Sequence, residues 1–291
     1  VEQRILLIGA SGQLGTDLRG VLPAATLVPL TRADLDITDP HATERVLATH
    51  RPAWVINTAA FHRVDDIETK DAARAFAVNE VSVGHLAQVC ARRSARFLHL
   101  STDYVFGGGP PGPYAEDASP APVSAYGNSK LAGERLVETA SPDHLVVRSS
   151  GLYGVAGSAG KGGNFVETML RLANERKTIR VVDDQILTPT YTEDLAKAIA
   201  GLIAVNPPGG IYHLTNSGAC SWFEFAGHTF KLLNLTPDLR PTTSREFGAP
   251  AKRPPNSVLR NTRAAALGLP LLRPWPDALA AYLRAKGHLA G

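Results

Sequence analysis

A glycine triplet closes the first apolar run of this chain. Ile5-Leu6-Leu7-Ile8 is too short for a helix, and Gly9-Ala10-Ser11-Gly12-Gln13-Leu14-Gly15 follows at once. Leu14, Leu18, Val21 and Leu22 then recur at helical spacing until Pro23. Few folds accept a strand, a turn with glycines at its first, fourth and seventh places, and a helix in that order. Side chains there would keep a pyrophosphate away from the backbone, and the N–H groups at a helix start hold an anion. The turn predicts a dinucleotide-binding unit with Gly9, Ser11, Gly12, Gln13 and Leu14 at the cofactor.

The rest of the chain repeats the alternation. Thr26-Leu27-Val28, Trp54-Val55-Ile56, Phe97-Leu98-His99-Leu100 and His144 to Arg148 read as strands. Between them, Ala42 to Thr49 (after an Asp39-Pro40 start), Ala72 to Ala91 and Ser124 to Thr139 read as helices. Gly107 to Ser124 is a Gly/Pro-crowded loop placed at a site rim, and from Gly151 to Gly163 the texture turns glycine-rich. Pro207-Pro208-Gly209-Gly210 and Pro254-Pro255 punctuate the later half. The expected fold class is α/β: a Rossmann-type doubly wound parallel sheet in residues 1–150. A smaller C-terminal substrate-binding lobe occupies 151–291, with some segments returning to the first lobe and a cleft between the two.

Composition narrows the partners. With 30 Lys+Arg against 27 Asp+Glu, the net charge of +3 is too small and too dispersed for a nucleic-acid footprint. Two cysteines, Cys90 and Cys220, make neither a disulfide framework nor a Cys-rich metal site, and both read as small packed residues. No apolar run approaches the length of a membrane span, and Val1-Glu2-Gln3-Arg4 opens without a signal-peptide cleavage pattern, so a cytoplasmic location is expected.

The second strand ends in Pro29-Leu30-Thr31-Arg32 without the carboxylate that would bind an adenine ribose 2′-hydroxyl. Arg32 suits a 2′-phosphate instead and favours NADPH, with NADH as the alternative; Asp36 and Ile37 are placed to flank the adenine. Further on, Tyr126 and Lys130 stand at i and i+4, on one face of a helix. An ammonium beside a phenol favours the phenolate and eases proton transfer to a substrate oxygen. Thr102, at the C-terminal end of the Phe97–Leu100 strand, is placed to hold a carbonyl near Tyr126. His62, beside Arg63, reads as an ordinary loop histidine.

In this order the glycine turn, strand-end hydroxyl and Tyr–Lys pair resemble the extended short-chain dehydrogenase/reductase superfamily. Finer motifs narrow the likeness: Ala59-Ala60-Phe61-His62-Arg63-Val64-Asp65, Ser101-Thr102-Asp103-Tyr104-Val105-Phe106, Gly163-Asn164-Phe165-Val166, Val181-Val182-Asp183-Asp184-Gln185 with Pro189-Thr190, and Arg253-Pro254-Pro255-Asn256-Ser257. Together they resemble the dTDP-4-dehydrorhamnose reductase family over nearly the whole chain. The resemblance implies NADPH-dependent reduction of the C4 ketone of a dTDP-4-keto-6-deoxyhexose, with Thr102, Tyr126 and Lys130 as the catalytic trio. It places Gly12-Gln13-Leu14, Asp36-Ile37, Ala59, Ala60, Phe61 and Asn79 at the cofactor. Val64, Asp103, Tyr104, Asn164, Gln185, Arg253 and Asn256 fall at substrate positions; Arg253 suits bidentate pairing with a diphosphate.

Two departures stand out. Where the family has Arg-Thr-Ser-Trp-Val-Tyr-Gly, this chain has Arg148-Ser149-Ser150-Gly151-Leu152-Tyr153-Gly154, so a sugar-packing tryptophan is replaced by Gly151. Gln185-Ile186-Leu187-Thr188-Pro189 also lacks a customary glycine. Asp17 and Glu193 fall near two carboxylates that hold Mg²⁺ in some relatives, but with no third ligand no metal is expected. A monomer or homodimer is expected. Two other functions remain open: a non-catalytic NADP-binding subunit resembling the regulatory β-subunit of methionine adenosyltransferase, and a nucleotide-sugar epimerase.

Overall fold

The computed structural model describes residues 4–109, 112–157, 163–175 and 178–290. The opening Val1-Glu2-Gln3, Pro110-Pro111 of the Gly/Pro loop and residues 158–162 of the glycine-rich loop lie outside these. The first half runs β1 (Ile5–Ile8), α1 (Gln13–Val21), β2 (Leu27–Leu30), α2 (Pro40–His50), β3 (Trp54–Asn57), α3 (Val64–Thr69), α4 (Ala72–Phe76), α5 (Ser82–Arg92), β4 (Arg96–Thr102), α6 (Ala125–Ala140) and β5 (Leu145–Ser149). Next come β6 (Leu152–Tyr153), α7 (Phe165–Asn174), β7 (Ile179–Val182), β8 (Ile186–Leu187), β9 (Thr190–Tyr191), α8 (Thr192–Ala204) and β10 (Gly210–His213). The chain closes with β11 (Cys220–Ser221), α9 (Trp222–Leu232), β12 (Leu239–Thr242), α10 (Ser244–Phe247), α11 (Thr262–Ala266) and α12 (Trp275–Ala285).

A parallel six-stranded sheet has the order β2-β1-β3-β4-β5-β10. It is the α/β, Rossmann-type sheet that the alternating pattern predicts. Its strands are apolar on both faces because both faces are covered. Ile5 and Leu7 of β1 pack with α1 and α8 through Leu14, Leu18, Leu195 and Ile199, whereas Leu6 and Ile8 pack with α2 and α5 through Leu47, Val83 and Leu86. Each fully buried leucine of this kind contributes roughly 1.5–3 kcal/mol. A separate core forms the second lobe around Tyr153, Met169, Tyr191, Phe225, Phe230 and Tyr282. Residue 150 separates the two cores only in part: α8, β10 and Ala264 of α11 return to the first. No helix among the described residues is long and apolar enough to cross a membrane.

Most elements follow the sequence reading. Asp39 caps α2 as Asp39-Pro40 implies, its carboxylate accepting from the backbone N–H groups of His41 and Ala42. The single helix read over Ala72–Ala91 is instead α4, a π turn over Ala77–Val81, and α5. The turn has a local cause. The Ser82 hydroxyl donates back to the Ala77 carbonyl at 2.7 Å. The wider turn carries Asn79, whose amide oxygen accepts from Phe61 N–H and whose Nδ2 donates to Phe61 O, both at 2.9 Å, and to Ser129 Oγ at 3.0 Å.

The glycine turn is set by close approach. Gly9 has φ 83°, and a Cβ on Gly15 would lie 2.2 Å from the Gly9 carbonyl oxygen. Gly15→Ala is predicted to cost roughly 1–3 kcal/mol by overpacking, while Gly20→Ala, with nothing within 4 Å of its added Cβ, gains about 0.5–1 kcal/mol of helix stability. Urea denaturation checks both; equal midpoints would contradict the close-packed turn.

Candidate active site

A cleft of about 1110 Å³ opens along the C-terminal ends of β1, β3, β4 and β5. This is where an open α/β sheet binds ligands, beside the reversal of strand order at β1 and β3. Thr58 ties that edge together, its hydroxyl donating to the Ile8 carbonyl at 2.9 Å. The cleft takes Gly9, Ser11, Gly12, Gln13 and Leu14 from the glycine turn, Arg32, Asp36 and Ile37 beyond β2, and Ala59, Ala60, Phe61 and Val64 beyond β3. Thr102, Asp103 and Tyr104 line it from the end of β4, Tyr126 and Lys130 from α6, and Asn164 and Gln185 from the second lobe. Residues far apart in the chain therefore converge on one surface.

The turn end of the cleft fits an anionic dinucleotide. Among the described residues no side chain caps α1, and none is a hydrogen-bond partner of the buried Gln13 Oε1. A helix start whose first N–H groups lack a side-chain acceptor attracts phosphate oxygens. Arg32 is exposed and loosely paired with Asp36 at 3.4 Å. Hydrogen bonds from the Thr38 hydroxyl and backbone N–H hold the Asp36 carboxyl below the usual carboxylate range.

At the other end the groups are buried and strongly perturbed. Burial pushes the Asp103 carboxyl up to about 6, against hydrogen bonds from Ser257, Ser150 and Thr102. It also raises Tyr104 to about 12 and Tyr126 above its ordinary value, the latter opposed by a side-chain hydrogen bond with Thr102. The two rings meet edge to face at 5.9 Å. The lowering of the Tyr126 phenol expected from Lys130 is therefore overturned in this arrangement: desolvation dominates, and Lys130 Nζ lies 2.9 Å from His99 Nε2 while donating to the Leu100 carbonyl at 2.7 Å.

Three expected contacts are engaged by other groups of the protein. Asn79 clamps the Phe61 loop from the π turn, so it shapes the cofactor side without lining it. Arg253 grips the Asp65 carboxylate with both terminal nitrogens, at 3.0 and 2.8 Å, an ion pair joining α3 to the second lobe. Asn256 ties loops together through the Gly112 carbonyl and Val258 N–H. Asn164 does line the cleft, but as the cap of α7: its oxygen accepts from Glu167 N–H, and its nitrogen donates to Gly154 O and Tyr282 Oη. Gln185 lines it while donating to Ser244 Oγ.

Gly151 has φ 55°, and a Cβ there would meet Leu187 Cδ1 at 2.7 Å. A tryptophan could not replace it without moving that wall. Trp222 and Phe165, with ring centroids 4.6 Å apart, bring an aromatic surface to the cleft from α9 and α7. Sequence reading missed this pair; the aromatic residues just after Asn164 and Ser221 were its available signal. Among the described residues no three His, Cys, Asp or Glu side chains gather as a metal would require.

Sheet, glycine turn and Tyr–Lys pair on one cleft define the class: a Rossmann-type extended short-chain dehydrogenase/reductase. Residues 3–287 match the model of the RmlD substrate binding domain family. The dTDP-4-dehydrorhamnose reductase of Streptomyces griseus is 45% identical over 284 residues, covering 95% of this chain and 91% of the relative. The dTDP-4-keto-6-deoxy-D-glucose reductase of Streptomyces niveus is 41% identical over 283 residues, covering 96% of each. A crystal structure of Bacillus anthracis dTDP-4-dehydrorhamnose reductase in complex with NADP superposes with a TM-score of 0.91 at 36% identity, covering 98% of this chain and 100% of that one. The chain belongs to the dTDP-4-dehydrorhamnose reductase family, as its motifs implied.

The perturbed Asp103 gives a pH test. Its folded value lies above the unfolded one, so its stabilising contribution is present in acid and is lost as pH rises through about 6. Asp103→Asn should therefore gain stability relative to the parent between about pH 4 and 7, by up to ~3 kcal/mol. Urea denaturation across that range checks it; a pH-independent difference would contradict the buried carboxylate.

Proposed function

We propose that this chain is an NADPH-dependent reductase acting on the C4 ketone of a dTDP-4-keto-6-deoxyhexose, converting dTDP-4-dehydrorhamnose to dTDP-L-rhamnose. The observation that carries the reading is that Tyr126, Thr102 and Lys130 face the same cleft as the uncapped start of α1. Membership of the family supports the substrate class, and the NADP complex of the Bacillus anthracis relative supports the cofactor. Bound there, NADPH supplies a hydride to the ketone carbon. The Gly9–Gly15 turn and the α1 N-terminus take the pyrophosphate, and Arg32 takes the 2′-phosphate.

The acid is Tyr126. Burial that raises its pKa keeps the phenol protonated until charge develops on the substrate oxygen, whose basicity then draws the proton across. Thr102 orients that oxygen beside the phenol. Asp103 and Tyr104 meet sugar hydroxyls, Val64 and Gln185 line the same cleft, and Trp222 with Phe165 supplies the apolar face that Gly151 lacks. Holding sugar and nicotinamide together removes the entropy of encounter from the barrier. Arg32 favours this reading over an NAD-retaining epimerase, and the converging trio favours it over a non-catalytic subunit.

Tyr126→Phe should lower kcat by roughly 10²–10⁴-fold with little change in KM. Following NADPH oxidation with dTDP-4-dehydrorhamnose checks this; turnover near that of the parent would remove Tyr126 from the chemistry.

A further inference from the structure

Behind the cleft, Asn57, His99 and Lys130 are buried side by side, with relative exposures of 0%, 0% and 1%. Asn57 ends β3 and is in register with His99 on β4; Lys130 reaches them from α6. The Ala59 N–H donates to Asn57 Oδ1 at 3.1 Å, which fixes which way the amide faces. Asn57 Nδ2 therefore donates to His99 Nδ1, 3.2 Å away. A ring nitrogen that accepts carries no proton, so the neutral imidazole carries its proton on Nε2. That Nε2–H points at Lys130 Nζ, 2.9 Å away. Two donors cannot share such a distance, so Nζ accepts through a lone pair while giving one N–H to the Leu100 carbonyl.

We propose that Asn57 and His99 act as a tautomer lock that holds Lys130 as a neutral amine, and that nucleotide binding couples to uptake of one proton by that amine. The inference rests on the reading that the cleft takes NADP(H). Electrostatics agree with the geometry: burial lowers Lys130 to about 7, and burial with the nearby Lys130 lowers His99 well below its ordinary value. The titratable groups around Lys130 are Glu134 and Tyr126 on its own helix, His99 and Asp103 on the β4 side, and Arg148 on β5. Glu134, which favours the charged form, is already engaged by Arg148 and Ser101. Ribose hydroxyl oxygens of a nucleotide in the cleft that Lys130 lines accept from an ammonium and favour the charged form. The proton comes from solvent: amine plus proton gives ammonium, which can no longer accept from Nε2–H and is released from His99. Asn57 and His99 are positioning residues, and their effect runs through Lys130.

Two measurements test this. In protein labelled with ¹⁵N at the histidine rings, without nucleotide, the His99 signal (assigned by its loss in His99→Gln) should show the neutral Nε2–H tautomer near pH 8, above the Lys130 value of about 7. A protonated Nδ1 or an imidazolium overturns the lock. Calorimetric titration with NADPH, whose nicotinamide ring is neutral, near pH 8 in buffers of different ionisation enthalpy should show uptake of about one proton per site, falling as pH drops through about 7. Asn57→Asp keeps the acceptor for Ala59 but offers a second oxygen to Nδ1; it should reverse the tautomer and abolish the uptake. Binding without uptake, or uptake unchanged in Asn57→Asp, overturns the proposal. If Asn57→Asp fails to fold, the parent spectrum and uptake decide. If NADPH does not bind the parent, the proposed function fails and the tautomer alone judges the lock.

Discussion

One buried ion pair fixes the position of α6, and the site depends on α6. Glu134 and Arg148 are each 1% exposed and 2.6 Å apart, with a further bond from Arg148 Nε and another from Ser101 Oγ to the same carboxylate. The Arg148 guanidinium also lies over the Phe106 ring at 5.1 Å. Breaking such a pair from one side costs roughly 3–5 kcal/mol, because the remaining charge stays buried. The pair joins the helix that carries Tyr126 and Lys130 to β5, whose end runs into Ser150 and Gly151. Tyr126, Lys130 and the cleft wall at Gly151 are thus tied together through one buried pair.

The features legible in the sequence are those set by local physics. The strand–glycine–helix order at residues 5–22, the Asp39-Pro40 helix start and the i, i+4 placement of Tyr126 and Lys130 depend on neighbours in the chain. Features hidden from the sequence arise across it. The π turn at Ala77–Val81 has its local bond from Ser82, but what the turn positions shows only once Asn79 is seen clamping Phe61, eighteen residues earlier. Arg253 looks like a free guanidinium until Asp65, 188 positions away, is found on it. Desolvation is equally invisible in one dimension, so the expected influence of Lys130 on Tyr126 gave way to burial of both.

The second lobe shows the same division. Asn164, which falls at a substrate position by resemblance, lines the cleft while it caps α7 and braces Tyr282. Its neighbour Phe165 faces the cleft with Trp222. Aromatic surface lost at Gly151 thus stands on a different wall, and the backbone of Gly151 is held in a conformation that few side chains adopt. The cleft that Gly151 lines thus takes aromatic surface from Phe165 and Trp222.

The central claim is direct transfer from nicotinamide to sugar within this cleft. NADPH deuterated at nicotinamide C4, tested separately in each of its two epimeric forms, addresses it most directly. The account predicts that one form delivers its deuterium to C4 of the product sugar, seen by mass spectrometry and NMR. Product carrying no label from either form would contradict it.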